Sequence, residues 1–416
     1  MVRITARHLR CRAVILTVMF GLNSRAQKTQ CGVVIDIGSG SVGAAIVISD
    51  VDKAKPKIIW SHREYVIIKD TNSEEVPLKE ITTSLINTFL HIGSNGIKKM
   101  KQTDLNFEIS SVQVTISAPW TYTVTKTINF TDEATFKVNK NLVDELTKTA
   151  EEKAFTSVSE NNIFQENQLE IIDNRTAGIR INGYSIEKPR NIETKSVSLS
   201  HITAITQKKI LATLRDSMDK IFPKADLVTH SSMYMFYDVL KHMNPDTVEV
   251  CLVDVTSEAT EIGIIREGIL THVTHTAFGT FSLAREIAIA CKIPKEEAYS
   301  YLKCEAGFLE SKLSKQKLKE LNIILEAYED KIAELFKVTG DVLAIPKTLF
   351  LHSEVATEEF FINHLEKAAK KATTMRHNIH PITSLFFEEG MAGDTRLLLS
   401  THFFHRTHIH KTEDED

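Results

Sequence analysis

The stretch CGVVIDIGSGSVGAAIVISD, residues 31–50, gives the first indication of how this chain folds. Two runs rich in β-branched residues flank a glycine-rich turn, which is the pattern of a β-hairpin. The first run ends in Asp36. The turn after it contains two glycines and two serines: Gly38, Ser39, Gly40 and Ser41. We therefore predict two antiparallel strands joined by a turn with little side-chain cover.

This turn has the composition of a phosphate-binding loop. Glycine leaves backbone N–H groups open to phosphate oxygens, because no Cβ stands in the way. Serine hydroxyls add hydrogen-bond donors, and a carboxylate such as Asp36 can hold Mg²⁺ through water. The sequence predicts a phosphate loop here, and a plain glycine-rich hairpin is the alternative.

A second strand–turn–strand unit, VEVCLVDVTSEATEIGIIREGIL at 248–270, repeats the arrangement. Its first run ends in Asp254, and the turn supplies three hydroxyl groups, those of Thr256, Ser257 and Thr260. This turn contains no glycine, and Glu258 would place a negative charge where a triphosphate would lie. Two such units, each followed by helices and strands, indicate a duplicated α/β domain.

Residues 121–200 show a pattern of predicted strands and helices that differs from that of the two halves. A strand-like run is followed by a charged helix at 141–155 and three short β runs, which predicts a small inserted α+β subdomain. The predicted organisation is a leader or membrane-touching segment at 1–30, a first half at 31–120, the insert at 121–200, the end of the first half at 201–245, a second half at 246–400 with a helical subdomain at about 291–345, and a polar tail at 401–416.

The order and spacing of these units resemble the actin/Hsp70/sugar-kinase superfamily, which has a duplicated actin-like (ribonuclease H-like) ATPase fold. Residues 36–41 match its first phosphate loop, and residues 254–260 match the second in position. The insert, with IIDNRTAGIRINGY at 171–184, looks like the SHS2-type subdomain of the FtsA/PilM branch, and SAPW at 117–120 is similar to divergent FtsA-like chains. The resemblance covers roughly residues 32–371.

The resemblance implies ATP with Mg²⁺, the metal being held near Asp36 and Asp254. The implied nucleotide-binding residues are Asp36, Gly38, Ser39, Gly40, Ser41, Asp254, Thr256, Ser257 and Thr260. Two differences from the family's sequence pattern argue against ATP binding and hydrolysis. The second turn lacks glycine, and His352 and Ser353 occupy the place of the paired glycines in the adenosine loop of the family. The sequence therefore predicts a degenerate ATP site with weak or no hydrolysis.

The resemblance further implies a bacterial scaffold at the cytoplasmic face of the inner membrane. Such a protein recruits cell-division or pilus and envelope assembly proteins, self-associates, and reaches the membrane directly or through a partner. An active ATPase or small-molecule kinase of the same superfamily is the alternative, although the sequence offers no catalytic base that we can name. An Hsp70-type chaperone ranks last, because no β-sandwich substrate domain is indicated.

Composition is that of a globular protein, with 42% hydrophobic residues among 416 and a formal net charge of -4. That length predicts two or more domains. No basic stripe with interleaved aromatics is found, so the sequence predicts no nucleic-acid partner. Five cysteines without a CxxC pair indicate buried thiols in a reducing compartment, the cytosol.

The N-terminal and C-terminal segments each lead to a separate prediction. Arg7, Arg10 and Arg12, which precede an apolar stretch at 13–22, suggest a signal-like or membrane-touching segment too short to span a bilayer. The alternative is an over-extended start, with the protein beginning near Lys28. At the other end, four histidines in THFFHRTHIHKTEDED at 401–416 predict a loose polar tail without a metal role.

Overall fold

The computed structural model describes residues 28–66, 75–103, 108–159, 168–186, 189–304, 311–337, 345–353, 357–386 and 393–415. The predicted leader lies outside the described residues up to position 27. Within the described ranges, no helix is both long enough and apolar enough to cross a bilayer. The prediction of an α/β fold built from a duplicated unit is confirmed.

The first half is a five-stranded sheet in the order β3-β2-β1-β4-β9. Its strands are β1 (Thr29–Ile37), β2 (Ser41–Asp50), β3 (Lys57–Tyr65), β4 (Ile109–Ile116) and β9 (Asp226–Ser231). Strand β1 pairs antiparallel with β2 and parallel with β4. Its helices are α1 (Glu75–His91), followed by a π-helical segment (Ile92–Gly96), α2 (Ile97–Lys101), α4 (Lys208–Ile221) and α5 (Ser232–Met243).

The second half repeats this topology, with a sheet in the order β12-β11-β10-β13-β14. The strands are β10 (Val250–Val255), β11 (Thr260–Arg266), β12 (Ile269–Thr276), β13 (Thr348–His352) and β14 (Asn378–Pro381). Strand β10 pairs antiparallel with β11 and parallel with β13, as β1 does with β2 and β4. Its helices are α6 (Thr280–Cys291), α7 (Lys295–Tyr301), α8 (Lys315–Lys337) and α9 (Glu358–Thr373).

The segment that follows β4 forms a third sheet, in the order β5-β8-β6-β7. Its elements are β5 (Thr121–Lys137), α3 (Lys140–Ser159), β6 (Leu169–Ile181), β7 (Tyr184–Ser185) and β8 (Glu193–Gln207). Helix α3 packs on the sheet through Leu146 and Ala150. The tight turn between β6 and β7 uses Asn182 and Gly183, both at positive φ, as an Asn-Gly hairpin requires.

The central strands are apolar on both sides because helices cover both faces. Val33 and Ile35 of β1 pack toward α1 and α4, whereas Val34 packs toward a terminal helix, α10 (Thr395–Glu415). Helices α5 and α10 also pack on the second sheet, so these two helices lie between the halves. The carboxyl ends of β1 and β10 consequently meet at one end of this shared core.

The structure differs from the loose polar tail predicted for 401–416. Helix α10 buries Leu397, Leu399, Phe403 and Phe404, each of which contributes about 1.5–3 kcal/mol of hydrophobic stabilisation. Two of its histidines are buried and bonded inside the protein: the Nδ1 atoms of His405 and His408 both lie 2.8 Å from the Ser49 hydroxyl. These buried partners explain why a histidine-rich segment folds as a packed helix.

Candidate functional site

The two predicted phosphate turns face each other and touch. The Ser39 hydroxyl donates to Thr256 Oγ1 at 2.9 Å and accepts from the backbone N–H of Glu258 at 2.8 Å. Behind the first turn, Trp120 of the SAPW stretch donates its indole N–H to the Gly38 carbonyl at 3.0 Å. The first turn is therefore fixed on one side by Trp120 and hydrogen-bonded on the other side to the second turn.

Two glycines allow this approach. A Cβ on Gly40 would lie 2.0 Å from the Ser257 hydroxyl oxygen, and a Cβ on Gly279 would lie 2.3 Å from the Thr256 carbonyl oxygen. Gly279 immediately precedes α6 and supplies the bare backbone that the second turn lacks. In this structure, both glycines allow other segments of the same chain to pack closely against them.

A cavity of about 330 Å³ opens beside the contact between the turns. Six of the predicted nucleotide-binding residues line it: Gly38, Ser39, Gly40, Ser41, Thr256 and Ser257. The other three, Asp36, Asp254 and Thr260, are buried and are not among the described residues that line the cavity. The hydroxyl of Thr260 donates to the Phe278 carbonyl at 2.7 Å. The structure thus brings both turns to one hollow, with the carboxylates beneath the surface.

Arg63 pairs with the first carboxylate. Its guanidinium reaches from β3 across β2, donating to Asp36 Oδ2 at 3.0 Å and to the Ser41 hydroxyl at 2.9 Å. The same guanidinium holds Asp394 with two hydrogen bonds of 2.6 and 2.9 Å. A Cβ on Gly43 would lie 2.5 Å from Arg63 Nη2, so the glycine in β2 gives the side chain its path.

Arg396 joins the two halves from the first turn of α10. Its Nη2 donates to Asp254 Oδ1 at 2.5 Å, and its Nη1 lies 3.6 Å from Asp36 Oδ1. It also donates to the Ser117 hydroxyl. Both carboxylates are almost fully buried, so a guanidinium compensates each charge inside the protein. We call Asp36, Asp254, Asp394, Arg63 and Arg396 the arginine lock.

Neighbouring cationic and hydrogen-bonding groups lower the pKa of two carboxyls of the lock, Asp254 and Asp394. Burial alone would raise the pKa of Asp254, but the Arg396 guanidinium and the hydrogen bond from His352 together lower it. Burial and Arg63 oppose each other in the same way at Asp394, and the pKa of that carboxyl is also lowered. A Mg²⁺ ion that bound Asp254 Oδ1 would therefore have to displace the Arg396 guanidinium.

His352 and Ser353, which the resemblance puts at the adenosine loop, both line the cavity. His352 Nδ1 lies 2.8 Å from Asp254 Oδ1, so the histidine supports the lock. The charge of Glu258 in the second turn is also paired, through two hydrogen bonds of 2.9 and 2.5 Å from Arg285. The next residue, Glu354, lies outside the described residues.

Sequence reasoning missed Arg63, Arg396 and Asp394. The signal for Arg63 was weak, because it lies between His62 and Glu64 at the polar end of β3, where a charged residue is ordinary. Nothing around Arg396 distinguished it, since its partners lie 142 and 360 positions away in the chain.

Glu261 gives a testable consequence of this electrostatic field. It lies opposite Asp254 in the β10–β11 ladder, and it is 1% exposed. Burial raises its pKa well above the ordinary value, the Asp254 charge raises it further, and Arg396 opposes both. A raised folded pKa means that stability is complete below the unfolded pKa and declines as pH rises toward the folded one.

We expect Glu261→Gln, which cannot ionise, to be more stable than the parent chain at pH 8, by on the order of 1 kcal/mol or more. The advantage should vanish below about pH 4, where the unfolded glutamate is also neutral. Urea unfolding across this pH range measures it, with exposed Glu249→Gln as control. Equal pH profiles for the two variants would contradict the prediction.

Comparisons with known proteins place the fold. No family model matches the sequence, and no curated protein matches it. Among solved structures, the chain is similar to the "PilM-PilN type IV pilus biogenesis complex", with TM-score 0.55 and 10% identity, over 91% of this chain and 98% of that one.

Two further structures match less well. The ethanolamine utilization protein EutJ from Carboxydothermus hydrogenoformans gives TM-score 0.41 and 12% identity, over 90% of this chain and 89% of that one. A protein of actin-like ATPase fold and unknown function from Bacteroides thetaiotaomicron gives 0.39 and 11%, over 92% and 99%. The repeated sheet topology, the facing turns and the PilM-type match together show that this chain has a divergent actin-like ATPase fold.

Proposed function

We propose that this chain is an actin-fold assembly scaffold whose two halves are held by the arginine lock and not by Mg–ATP. The observation that carries the proposal is the pairing of both turn carboxylates with guanidinium groups, Asp36 with Arg63 and Asp254 with Arg396. Nucleotide-binding actin folds need those oxygens for the metal. Here an internal cation takes that role, and the contact between the two turns closes the space between them.

Phosphoryl transfer is poorly supported by this arrangement. It depends on a metal ion that bridges phosphate oxygens and on a positioned nucleophile. Asp36 is 0% exposed and Asp254 3%, and neither is among the described residues that line the cavity. An active ATPase or small-molecule kinase remains the second candidate, favoured by the hydroxyls and arginines that line the hollow.

The proposed partners follow from the PilM–PilN likeness, in which a protein of this fold works within a pilus biogenesis complex. We propose that the chain recruits cell-division or pilus assembly proteins at the cytoplasmic face of the inner membrane, where it is held peripherally, directly or through a partner. The inserted subdomain is the proposed surface for self-association. Its edge strand β7 carries Tyr184, which is 76% exposed.

Nucleotide should leave the thermal stability of the chain unchanged. A ligand present at about a hundred times its Kd adds about 2.7 kcal/mol, which raises the Tm of a chain of this size by several degrees. We expect Mg–ATP and Mg–ADP at millimolar concentration to shift the Tm by less than about 1 °C. A larger shift that Asp36→Ala abolishes would contradict the proposal and favour the ATPase.

Sedimentation of the same samples tests the scaffold itself. The chain should self-associate to the same extent with and without Mg–ATP, and Tyr184→Asp should weaken that association because it buries a charge at the contact. Lys195→Ala, also on the insert, is the matched control. A chain that stays monomeric at every concentration, and binds neither vesicles nor cytoplasmic peptides of assembly proteins, would end the scaffold proposal.

A further inference from the structure

Three metal-ligating side chains converge on the first half, on the face of β3 that points away from the arginine lock. His62 and Glu64 lie on β3, and His91 ends α1. One nitrogen or oxygen atom from each lies within 4.8 Å of the corresponding atoms of the other two. We propose that these residues form a binding site for a divalent transition-metal ion, with Zn²⁺ as the best fit.

The spacing of the ligand atoms suits a tetrahedral ion. His62 Nε2 lies 3.3 Å from Glu64 Oε2. Two ligands on one Zn²⁺, with bonds of about 2.0–2.2 Å at a tetrahedral angle, are roughly 3.3–3.5 Å apart. The rings of His62 and His91 contact each other at a tilt, with centroids 4.1 Å apart and planes inclined by 33°. A small movement of His91 would complete the set.

Neighbouring groups hold these side chains in place. Asn87 donates to Glu64 Oε1 at 3.3 Å, which leaves Oε2 to face the two imidazoles. The amide of Asn95, in the π-helical segment, lies 3.3 Å from His91 Nδ1; turned so that its oxygen accepts from Nδ1–H, it would orient the ring and leave Nε2 for a metal. Such outer contacts fix the orientation of metal ligands, and π-helical segments recur at functional sites.

The donor set selects the metal class. Two imidazoles and one carboxylate suit Zn²⁺ and its neighbours in the first transition row better than Mg²⁺ or Ca²⁺, which prefer all-oxygen sites. His62 and Glu64 are 29% and 28% exposed, so an ion can enter from solvent and keep water as a fourth ligand. The polar contact between His62 and Glu64 would be replaced by the metal, with release of any shared proton.

The candidate metal site and the arginine lock lie on opposite faces of the same strand, β3, because its side chains alternate between the two faces. Successive side chains of a strand point to opposite faces, so Arg63 projects toward Asp36 while its two neighbours project toward α1. Strand β3 is the edge strand of its sheet and is hydrogen-bonded only to β2 among the described strands. A metal ion joining His62, Glu64 and His91 would clamp this edge to α1 and steady the strand that carries Arg63.

Calorimetric titration of the full chain with Zn²⁺ tests the proposal. We expect one saturable site, and a loss of affinity on the order of 100-fold in Glu64→Gln, His62→Gln and His91→Gln. The matched control is His380→Gln, which removes an exposed histidine from β14 in the other half and should leave the affinity unchanged. Glu64→Gln is nearly isosteric, and its unchanged Tm in chelator would show that it folds.

A second readout identifies the geometry and the strand involved. Co²⁺ should give the intense visible bands of a four-coordinate ion in the parent chain and not in Glu64→Gln. Zn²⁺ should slow amide hydrogen exchange in β3 of the parent chain only. Absence of saturable binding at about 100 μM Zn²⁺, well above the range of specific sites, or equal affinity in all four variants, would overturn the assignment.

Discussion

Replacing Arg396 by alanine is expected to cost about 3–5 kcal/mol of unfolding free energy at pH 7. The guanidinium contacts Asp254 at 2.5 Å and lies 3.6 Å from Asp36, one carboxylate from each half. Among the described residues, removal would leave His352 as the hydrogen-bond partner of the buried Asp254 charge, and Arg63 as the ion-pair partner of Asp36. A buried charge without its partner is among the few changes that destabilise a protein this severely.

Urea unfolding measures this loss, and Arg376→Ala is the matched control. Arg376 is 88% exposed and lies 3.7 Å from Glu366, so its removal should change stability by less than about 0.5 kcal/mol. The double variant Arg396→Ala, Asp254→Asn should recover about 1–3 kcal/mol, because the orphaned charge is then gone. Equal losses of unfolding free energy for the two arginine variants, or no recovery of it in the double variant, would show that the lock residues do not stabilise the protein through their charges.

Much of the architecture was predictable because it rests on local patterns. The β-branched runs ending in Asp36 and Asp254 predicted two hairpins, and the structure has them as β1–β2 and β10–β11 in matching positions. The short β runs around Asn182 likewise became the third sheet. Hydrophobic periodicity and the residue types of turns depend on residues close together in the sequence. They therefore predict strands and turns without knowledge of the tertiary contacts.

The electrostatic partners of the site could not be predicted in the same way. A glycine-rich turn with an aspartate favours a metal, but the same aspartate is paired here with Arg63, 27 positions along the chain, and lies 3.6 Å from Arg396. Helix α10 was missed for a related reason. Histidines at 405 and 408 look polar in the sequence, yet Ser49 and the Lys53 carbonyl accommodate them in the core. Such partners are fixed only by tertiary packing.

Gly279→Ala is expected to destabilise the chain by about 3 kcal/mol or more, through overpacking. A Cβ at this position would lie 2.3 Å from the Thr256 carbonyl oxygen and 2.7 Å from both the Ala259 nitrogen and the Ser257 carbonyl carbon. All three are backbone atoms of the second turn, so no side-chain rotation can relieve the clash. The backbone dihedrals are extended, so alanine is excluded by space alone.

The position of Gly279 makes this variant a test of the contact between the turns. Moving the second turn away would break the hydrogen bonds that Ser39 makes with Thr256 and Glu258. Gly93→Ala is the control, since its Cβ would find only an ordinary contact of 3.5 Å, and stability should stay within about 1 kcal/mol. Urea unfolding, with amide exchange across the two turns, measures both. A Gly279→Ala variant as stable as the control would mean that the turns separate at little energetic cost, which would leave room for a phosphate between them.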